Sequence, residues 1–262
     1  MNASNTRTKR CHWRVVPASV RGTSHEQRGQ PCQDACHWDI RFDGVLVAVV
    51  ADGAGSAVLG QVGAAIAART AVETICSQET KLELPNDDKG WHILLTNALK
   101  SARIAIEQEA AARQVKVRDL ATTLILAIAT PEFVAAAQVG DGAAVVGDGK
   151  GNIIALTAPL LGEYINETTF LISPNALETA QVSLWYGVAA HLAIFSDGLQ
   201  MLALKMPEGT PHAPFFSPLF RFMADITDES EAKEQLLGFL RSPRVTERTD
   251  DDLTLFLATL VK

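Results

Sequence analysis

The sequence predicts an α+β fold in which antiparallel strands and helices form separate layers. Short apolar runs stopped by Gly, Asp or Pro recur at Val45–Val50, Phe133–Val139, Leu192–Phe195 and Leu253–Val261, and runs with such boundaries read as buried strands. The helical patterning falls in two or three blocks set apart from the strands, which fits α+β layers better than a doubly wound parallel sheet. Only the loop from Gly53 to Val58 speaks for a nucleotide fold. It has Val58 where a dinucleotide loop needs its third glycine, and neither an acidic ribose partner nor a Gly-Lys-Ser/Thr phosphate loop accompanies it.

In chain order, a β segment around Trp13–Val20 leads into a Gly/Ser/His-rich loop, Gly22–Pro31, and then to strand runs Ala35–Phe42 and Val45–Val50. Asp43-Gly44 between the two runs is a hairpin signal. Val58–Cys76 is rich in alanine, with Val62, Ala65, Ile66, Val72 and Ile75 at helical spacing, and predicts a tightly packed helix burying that face. A loop between Lys81 and Lys89 can cap the next helix, Trp91–Gln114, whose expected core side is Ile93, Leu94, Ala98, Leu99, Ala102 and Ile106. Leu120–Ala129, Phe133–Val139, Ala143–Val146 and Ile153–Leu156, joined by Pro131, Asp141-Gly142 and Gly149–Gly151, predict an antiparallel meander. Pro159–Val188 holds further strand material around Thr168–Ile172 and Val182–Tyr186. From Leu199 to Leu240 the pattern is helical, with interruptions at Pro207, Pro211, Pro214 and Pro218, and Leu253–Val261 is the last strand.

A chain of 262 residues, 47% hydrophobic, can bury one large core. A single domain over residues 13–262 is expected behind a flexible tail, 1–12, whose basic Arg7–Arg10 reads as solvated. The net charge of −7 and the lack of a long basic tract disfavour nucleic acid as a partner. Apolar runs stop short of membrane-spanning length and the N-terminus is polar, so the expected location is cytoplasmic, with no membrane partner. Cys11, Cys32, Cys36 and Cys76 are irregularly placed in a chain large enough not to need disulfides, and reduced thiols are expected. Cys32-x₃-Cys36-His37 with Cys11 and His12 offers a zinc half-site, but the paired Cys-x₂-Cys spacing of common zinc modules is missing.

Chemistry is written at the ends of the apolar runs. Asp52 follows Val45–Val50, Asp141 follows Phe133–Val139, Asp197 follows Leu192–Phe195, and Asp251 precedes Leu253–Leu257. Strands that share a sheet can bring their end residues together. Clustered carboxylates repel one another unless a cation sits among them, and oxygen-only ligands favour a hard ion such as Mg²⁺ or Mn²⁺. Phosphate chemistry is the usual task of such a centre. Each residue also has a plainer reading. Asp141-Gly142 alone would be a hairpin turn, and Asp52-Gly53 or Asp197-Gly198 alone would be strand-to-helix caps.

Taken together, Gln33-Asp34, Asp52-Gly53-Ala54-Gly55-Ser56, Ala121-Thr122-Thr123, Gly140-Asp141-Gly142, Ser196-Asp197-Gly198 and Asp251-Asp252-Leu253-Thr254-Leu255 resemble, in order and spacing, the metal-dependent type 2C protein phosphatases, and most of all their compact bacterial branch. The likeness spans about residues 13 to 260. It implies a four-layer α-β-β-α sandwich of two antiparallel sheets flanked by helices. It also implies hydrolysis of phosphoserine and phosphothreonine in proteins with two Mn²⁺ or Mg²⁺ ions and a weaker third. By the same resemblance Asp52 bridges two ions, Gly53 offers its carbonyl, Asp197 and Asp251 serve the other ion, Asp34 orients the attacking water, and Asp141 holds the third ion. Among Asp250, Asp251 and Asp252, register with the Thr254-Leu255 strand favours Asp251, and a one-residue slip would move the role to a neighbour.

Where many relatives place a phosphate-binding arginine, four residues before the acidic pair, this chain has Gly29, and Arg28 or His25 is the candidate substitute. Ala54 stands where some relatives carry a histidine suited to protonating the leaving group, which leaves a water or His25 for that task. Gly142-Ala143 replaces the more usual Ser-Arg. A phosphoprotein substrate, a dedicated Ser/Thr kinase and a monomer are the implied partners and state. A phosphatase fold kept as a regulatory module, or an enzyme acting on small phosphorylated molecules, are the alternative readings.

Overall fold

The computed structural model describes residues 11–77, 83–159 and 168–261. Residues 1–10 of the expected tail and parts of the Lys81–Lys89 and Pro159–Val188 segments lie outside them. One five-stranded antiparallel sheet runs β1 (His12–Val20), β12 (Leu253–Val261), β9 (Ala189–Phe195), β6 (Ala143–Asp148), β7 (Ile153–Thr157). The other runs β2 (Asp34–Ile40), β3 (Leu46–Asp52), β4 (Leu124–Ala129), β5 (Phe133–Val139), β8 (Gln181–Tyr186). β1 starts at His12, inside the span expected to be tail, because it pairs with β12 from His12 opposite Val261 to Val20 opposite Leu253.

The central strands are apolar on both faces because both faces are covered. Val47, Val49 and Ala51 of β3 pack toward α2 (Gly60–Cys76) and α3 (Asp88–Arg113), whereas Leu46, Ala48 and Val50 join the layer between the sheets. On the far side Leu253, Leu255 and Leu257 of β12 meet α5 (Ala213–Asp225) and α6 (Glu229–Leu240), while Phe256 and Ala258 face inward. The period-two alternation of a strand thus builds the α-β-β-α sandwich that the resemblance implied. Asp43-Gly44 does close the β2–β3 hairpin, with Gly44 at φ 83° and its N–H donating to the Arg41 carbonyl. Asp87 caps α3, accepting from the Gly90 N–H at 2.7 Å.

Several expectations are corrected. The meander breaks after β5: β4 and β5 pair in one sheet, but β6 and β7 belong to the other. Asp141-Gly142 therefore spans the gap between sheets and is no hairpin turn. The Gly22–Pro31 loop contains a short helix, α1 (Thr23–Arg28). α2 buries Gly63, Ala64, Ala67, Ala68 and Ala71 with Val72 and Ile75, and leaves Ala65 exposed. Close approach explains the rotation: a Cβ on Gly63 would lie 2.1 Å from the Leu120 carbonyl oxygen, so the small-residue face is the one that fits against its neighbours. Ile93 is exposed, with Trp91 and Leu95 on the core side instead. Thr168–Ile172 is irregular and ends in a turn, and among the described residues of that region β8 is the strand. Between Leu199 and Leu240 the helices are α4 (Gln200–Ala203), α5 and α6, with a small hairpin of β10 (Leu204–Lys205) and β11 (Thr210–Pro211). Pro214 sits at the start of α5, where a missing N–H costs nothing, and Pro218 lies within α5, which stays helical because Phe216, Leu219, Phe220 and Met223 bury against the sheet. A last turn, α7 (Pro243–Thr246), precedes β12.

Candidate metal centre

The β2–β3 register sets Asp34 directly opposite Asp52. The Asp52 main chain is fixed from the next strand: its carbonyl accepts from Thr122 Oγ1 and from the Thr123 N–H, each at 2.8 Å, and its N–H donates to Thr123 Oγ1 at 3.0 Å. These threonines hold the site from behind. Gly53 must be glycine, since a Cβ there would sit 2.4 Å from the Gly60 carbonyl carbon. Asp141 stands between Gly140 and Gly142, at φ 97° and 83°. β9 and β12 are neighbours, with Phe195 opposite Leu255, so Asp197 and Asp251 emerge at the same end of their sheet.

The outcome is a cavity of about 270 Å³ walled by Asp52, Asp141, Asp197 and Asp251, with Asp250, His25 and Arg28 also on its lining. Carboxylate oxygens of Asp52, Asp141 and Asp197 all lie within 4.8 Å of one another. Asp34 is joined to the group by position. Its Oδ2 accepts from Ser196 Oγ at 2.7 Å, while its Oδ1, like Asp197 Oδ1, is buried with no hydrogen-bond partner among the described residues. A buried carboxylate oxygen without a donor is costly unless a cation meets it. The all-oxygen donor set fits a hard divalent ion.

The acidities agree with that reading. Burial, followed by repulsion from Asp34 and Asp197, pushes the Asp52 carboxyl well above its usual range. Asp197 rises to about 6, through burial and then the neighbouring Asp141 and Asp251. Burial lifts Asp34 to about 7 against the hydrogen bonds of Ser196 and Thr254, and lifts Asp141 against the hydroxyl of Thr168. Protons hold such a cluster together when no cation does.

Asp252 separates from Asp251 by what it touches. It is 2% exposed. Its Oδ1 accepts from the Gly22 N–H at 2.6 Å, and its Oδ2 accepts from the Gln33 N–H at 2.6 Å and from His25 Nδ1 at 2.8 Å. It fastens α1 and the Gln33-Asp34 strand start to the β12 start, and leaves Asp251 to the cavity. His25, proposed from sequence as a phosphate contact or acid, is thus 4% exposed and engaged by Asp252. Arg28 is exposed on the cavity rim, its Nε donating to the Ser24 carbonyl at 3.0 Å. Gly29, in the place of the relatives' arginine, closes α1 in a left-handed conformation, φ 66°, that suits glycine and not arginine. The four cysteines are free, and burial raises Cys36 to about 12, so it is an inert thiol. Sequence reasoning gave no role to Asp252, Ser196 or Thr168. Ser196 was legible only as a member of Ser-Asp-Gly, and nothing local ties Thr168 to Asp141, 27 residues away.

Two packed antiparallel sheets with a carboxylate cluster at the strand ends define a metal-dependent phosphohydrolase of the sandwich type. The description "Protein phosphatase 2C" matches residues 21–241, and the chain belongs to that family. It is 40% identical over 252 residues to serine/threonine-protein phosphatase 3 of Escherichia coli strain K12, covering 94% of this chain and 98% of that one. Among solved structures it is similar to the S. agalactiae serine/threonine phosphatase, with TM-score 0.65 at 15% identity, covering 95% of this chain and 99% of the other. The catalytic domain of the serine/threonine protein phosphatase PstP in complex with two manganese ions gives TM-score 0.63 at 15% identity over 97% and 100%. This chain is accordingly a metal-dependent serine/threonine protein phosphatase.

Proposed function

We propose that the chain removes phosphate from phosphoserine and phosphothreonine in proteins through a binuclear Mn²⁺ or Mg²⁺ centre held by Asp52, the Gly53 carbonyl, Asp197 and Asp251, with Asp141 serving a weaker third ion. When bound, the paired ions supply positive charge that acidifies water and neutralises the phosphoryl oxygens. Asp34, with one oxygen occupied by Ser196 and the other free, orients the attacking water. Arg28 contacts the substrate phosphate from α1, and the Asp252–His25 pair holds that helix in place. None of these roles needs a covalent phospho-enzyme or a cysteine nucleophile.

The observation that carries this reading is the convergence of Asp52, Asp141 and Asp197 within 4.8 Å. Hydrolysis of a phosphothreonine peptide by chelator-stripped protein, with and without Mn²⁺ and beside Asp52→Asn, tests it. Activity restored by Mn²⁺ and cut by more than tenfold in Asp52→Asn is expected. Equal activity of the variant would remove Asp52 from the centre. The reading extends to a single catalytic domain, 13–262, that acts as a cytoplasmic monomer opposite a Ser/Thr kinase. Sedimentation of the purified chain and fractionation of the cells that make it test those statements. Among the described residues no helix is long and apolar enough to cross a membrane.

A further inference from the structure

The layer between the sheets is apolar apart from a few positions, and one of them is Gln138. On β5 the side chains alternate: Phe133, Ala135, Ala137 and Val139 face the helices, and Val134 and Ala136 face the other sheet. Gln138 therefore belongs to the inter-sheet side, opposite Ile125 on β4, and it is 1% exposed. An amide at such a place costs free energy unless its groups are bonded. Its Nε2 donates to the Gly140 carbonyl at 3.0 Å and to the Gly142 carbonyl at 3.1 Å, while its Oε1 has no partner among the described residues. What the buried amide contributes is its two donors.

Those donors grip the two carbonyls that flank Asp141. The loop crosses from one sheet to the other in three residues, Gly140 to Gly142, with both glycines at positive φ. Neither glycine can carry a side chain: a Cβ on Gly140 would lie 2.5 Å from Thr123 Cγ2, and one on Gly142 would lie 2.4 Å from the Phe195 carbonyl oxygen. A glycine–aspartate–glycine crossing has wide backbone freedom of its own. The Gln138 amide is the side-chain clamp that takes this freedom away, and Thr168 Oγ1 then meets the Asp141 carboxylate at 2.8 Å.

We propose that Gln138 is a positioning residue for Asp141: by holding the Gly140 and Gly142 carbonyls together it sets the Asp141 carboxylate against those of Asp52 and Asp197, and so fixes how tightly the centre binds its Asp141-dependent divalent ion. The inference rests on the reading of Asp141 as a metal ligand. Partners behind a ligand typically change metal affinity by about 10–100-fold when removed.

The test is Mn²⁺ binding to chelator-stripped protein, followed by calorimetry and by the spin resonance of free Mn²⁺, for the parent, Gln138→Met, Asp141→Asn and the double variant. Methionine keeps the length and suits the apolar layer while removing both donors. Val134→Ala, a packing change in the same layer at the far end of β5, serves as the control. Expected are a loss of Mn²⁺ binding in Asp141→Asn, a weakening of about tenfold of the same binding component in Gln138→Met, no further loss in the double variant, and no change in Val134→Ala. Binding by Gln138→Met within twofold of the parent while Asp141→Asn is impaired would overturn the clamp and leave the metal reading standing. A tenfold effect of Gln138→Met that persists in the Asp141→Asn background would also overturn it. Unimpaired binding in Asp141→Asn would remove Asp141 as a ligand and the inference with it. Should Gln138→Met not fold, Gln138→Asn reads the same quantity, since its amide keeps the polarity but stops a methylene short of the two carbonyls.

Discussion

Replacing Asp252 by alanine separates the carboxylates that hold the fold from those that hold the metal. The side chain is 2% exposed and accepts from two peptide N–H groups at 2.6 Å and from His25 Nδ1 at 2.8 Å. Truncation leaves three buried donors without an acceptor. Each such group costs about 1–3 kcal/mol. The donors share one acceptor and one local structure, so their costs overlap and a total of about 4 kcal/mol is the working figure. In a domain of this size about 1 kcal/mol moves Tm by roughly 2–4 °C, so a fall of about 8–16 °C is expected for Asp252→Ala. Asp252→Asn, which keeps one acceptor oxygen but turns an NH₂ toward a donor, should fall between Asp252→Ala and the parent. The assay is thermal unfolding in chelator, where no metal contributes, beside Asp251→Asn. Asp251 faces the cavity, and its variant should keep the parent Tm in chelator but lose the rise in Tm that Mn²⁺ gives the parent. A Tm for Asp252→Ala within about 2 °C of the parent, or a larger loss for Asp251→Asn in chelator, would refute the division of labour between the neighbours.

Metal-free protein should become less stable as pH rises from about 5 to about 8. The carboxyls of Asp34 and Asp197 sit near 7 and 6 in the fold, above their unfolded values, so the native state holds more protons through that window and stability falls as they leave. Urea titrations at several pH values check this, and saturating Mn²⁺ should abolish or reverse the slope, because the ion replaces the protons. Ser196→Ala removes the hydroxyl that fixes Asp34 Oδ2 and accepts from the Thr254 N–H at 3.0 Å; kcat should fall by about tenfold with KM nearly unchanged, as expected for an orienting group acting in the transition state. A KM effect alone would point to substrate binding instead. Gly63→Ala would place a methyl 2.1 Å from the Leu120 carbonyl oxygen and should lower stability by about 1–3 kcal/mol in denaturant titration without changing the metal affinity. A neutral or stabilised Gly63→Ala would show that α2 can move away from that segment.

Asp52 and Asp197 were visible as residues at the ends of buried strands, because a strand buried on both faces is apolar throughout and its first polar neighbour stands out. The β2–β3 hairpin was visible for a similar reason, since Asp-Gly states its own turn. Asp141 was visible as a residue and misread as a structure. Asp-Gly between two strand runs has the form of a hairpin, and only the pairing of β6 with β9 shows that the chain changes sheets there. The buried face of α2 was misjudged because hydrophobicity ranks valine and isoleucine above alanine, while the deciding quantity was how near Gly63 comes to the Leu120 carbonyl oxygen.

By itself the sequence determined the layers, most of the strands and the four carboxylates that wall the cavity, since these follow from local periodicity and from the order of motifs along the chain. Tertiary structure alone decided which of three consecutive aspartates is structural, that His25 serves Asp252 while Arg28 stays on the rim, and that Gln138 and Ser196 stand behind the site. Those assignments depend on partners as far as 230 residues apart, Gly22 and Asp252 among them. A residue's own neighbours in sequence carry no record of which distant donor or carbonyl will meet it once the sheets have closed.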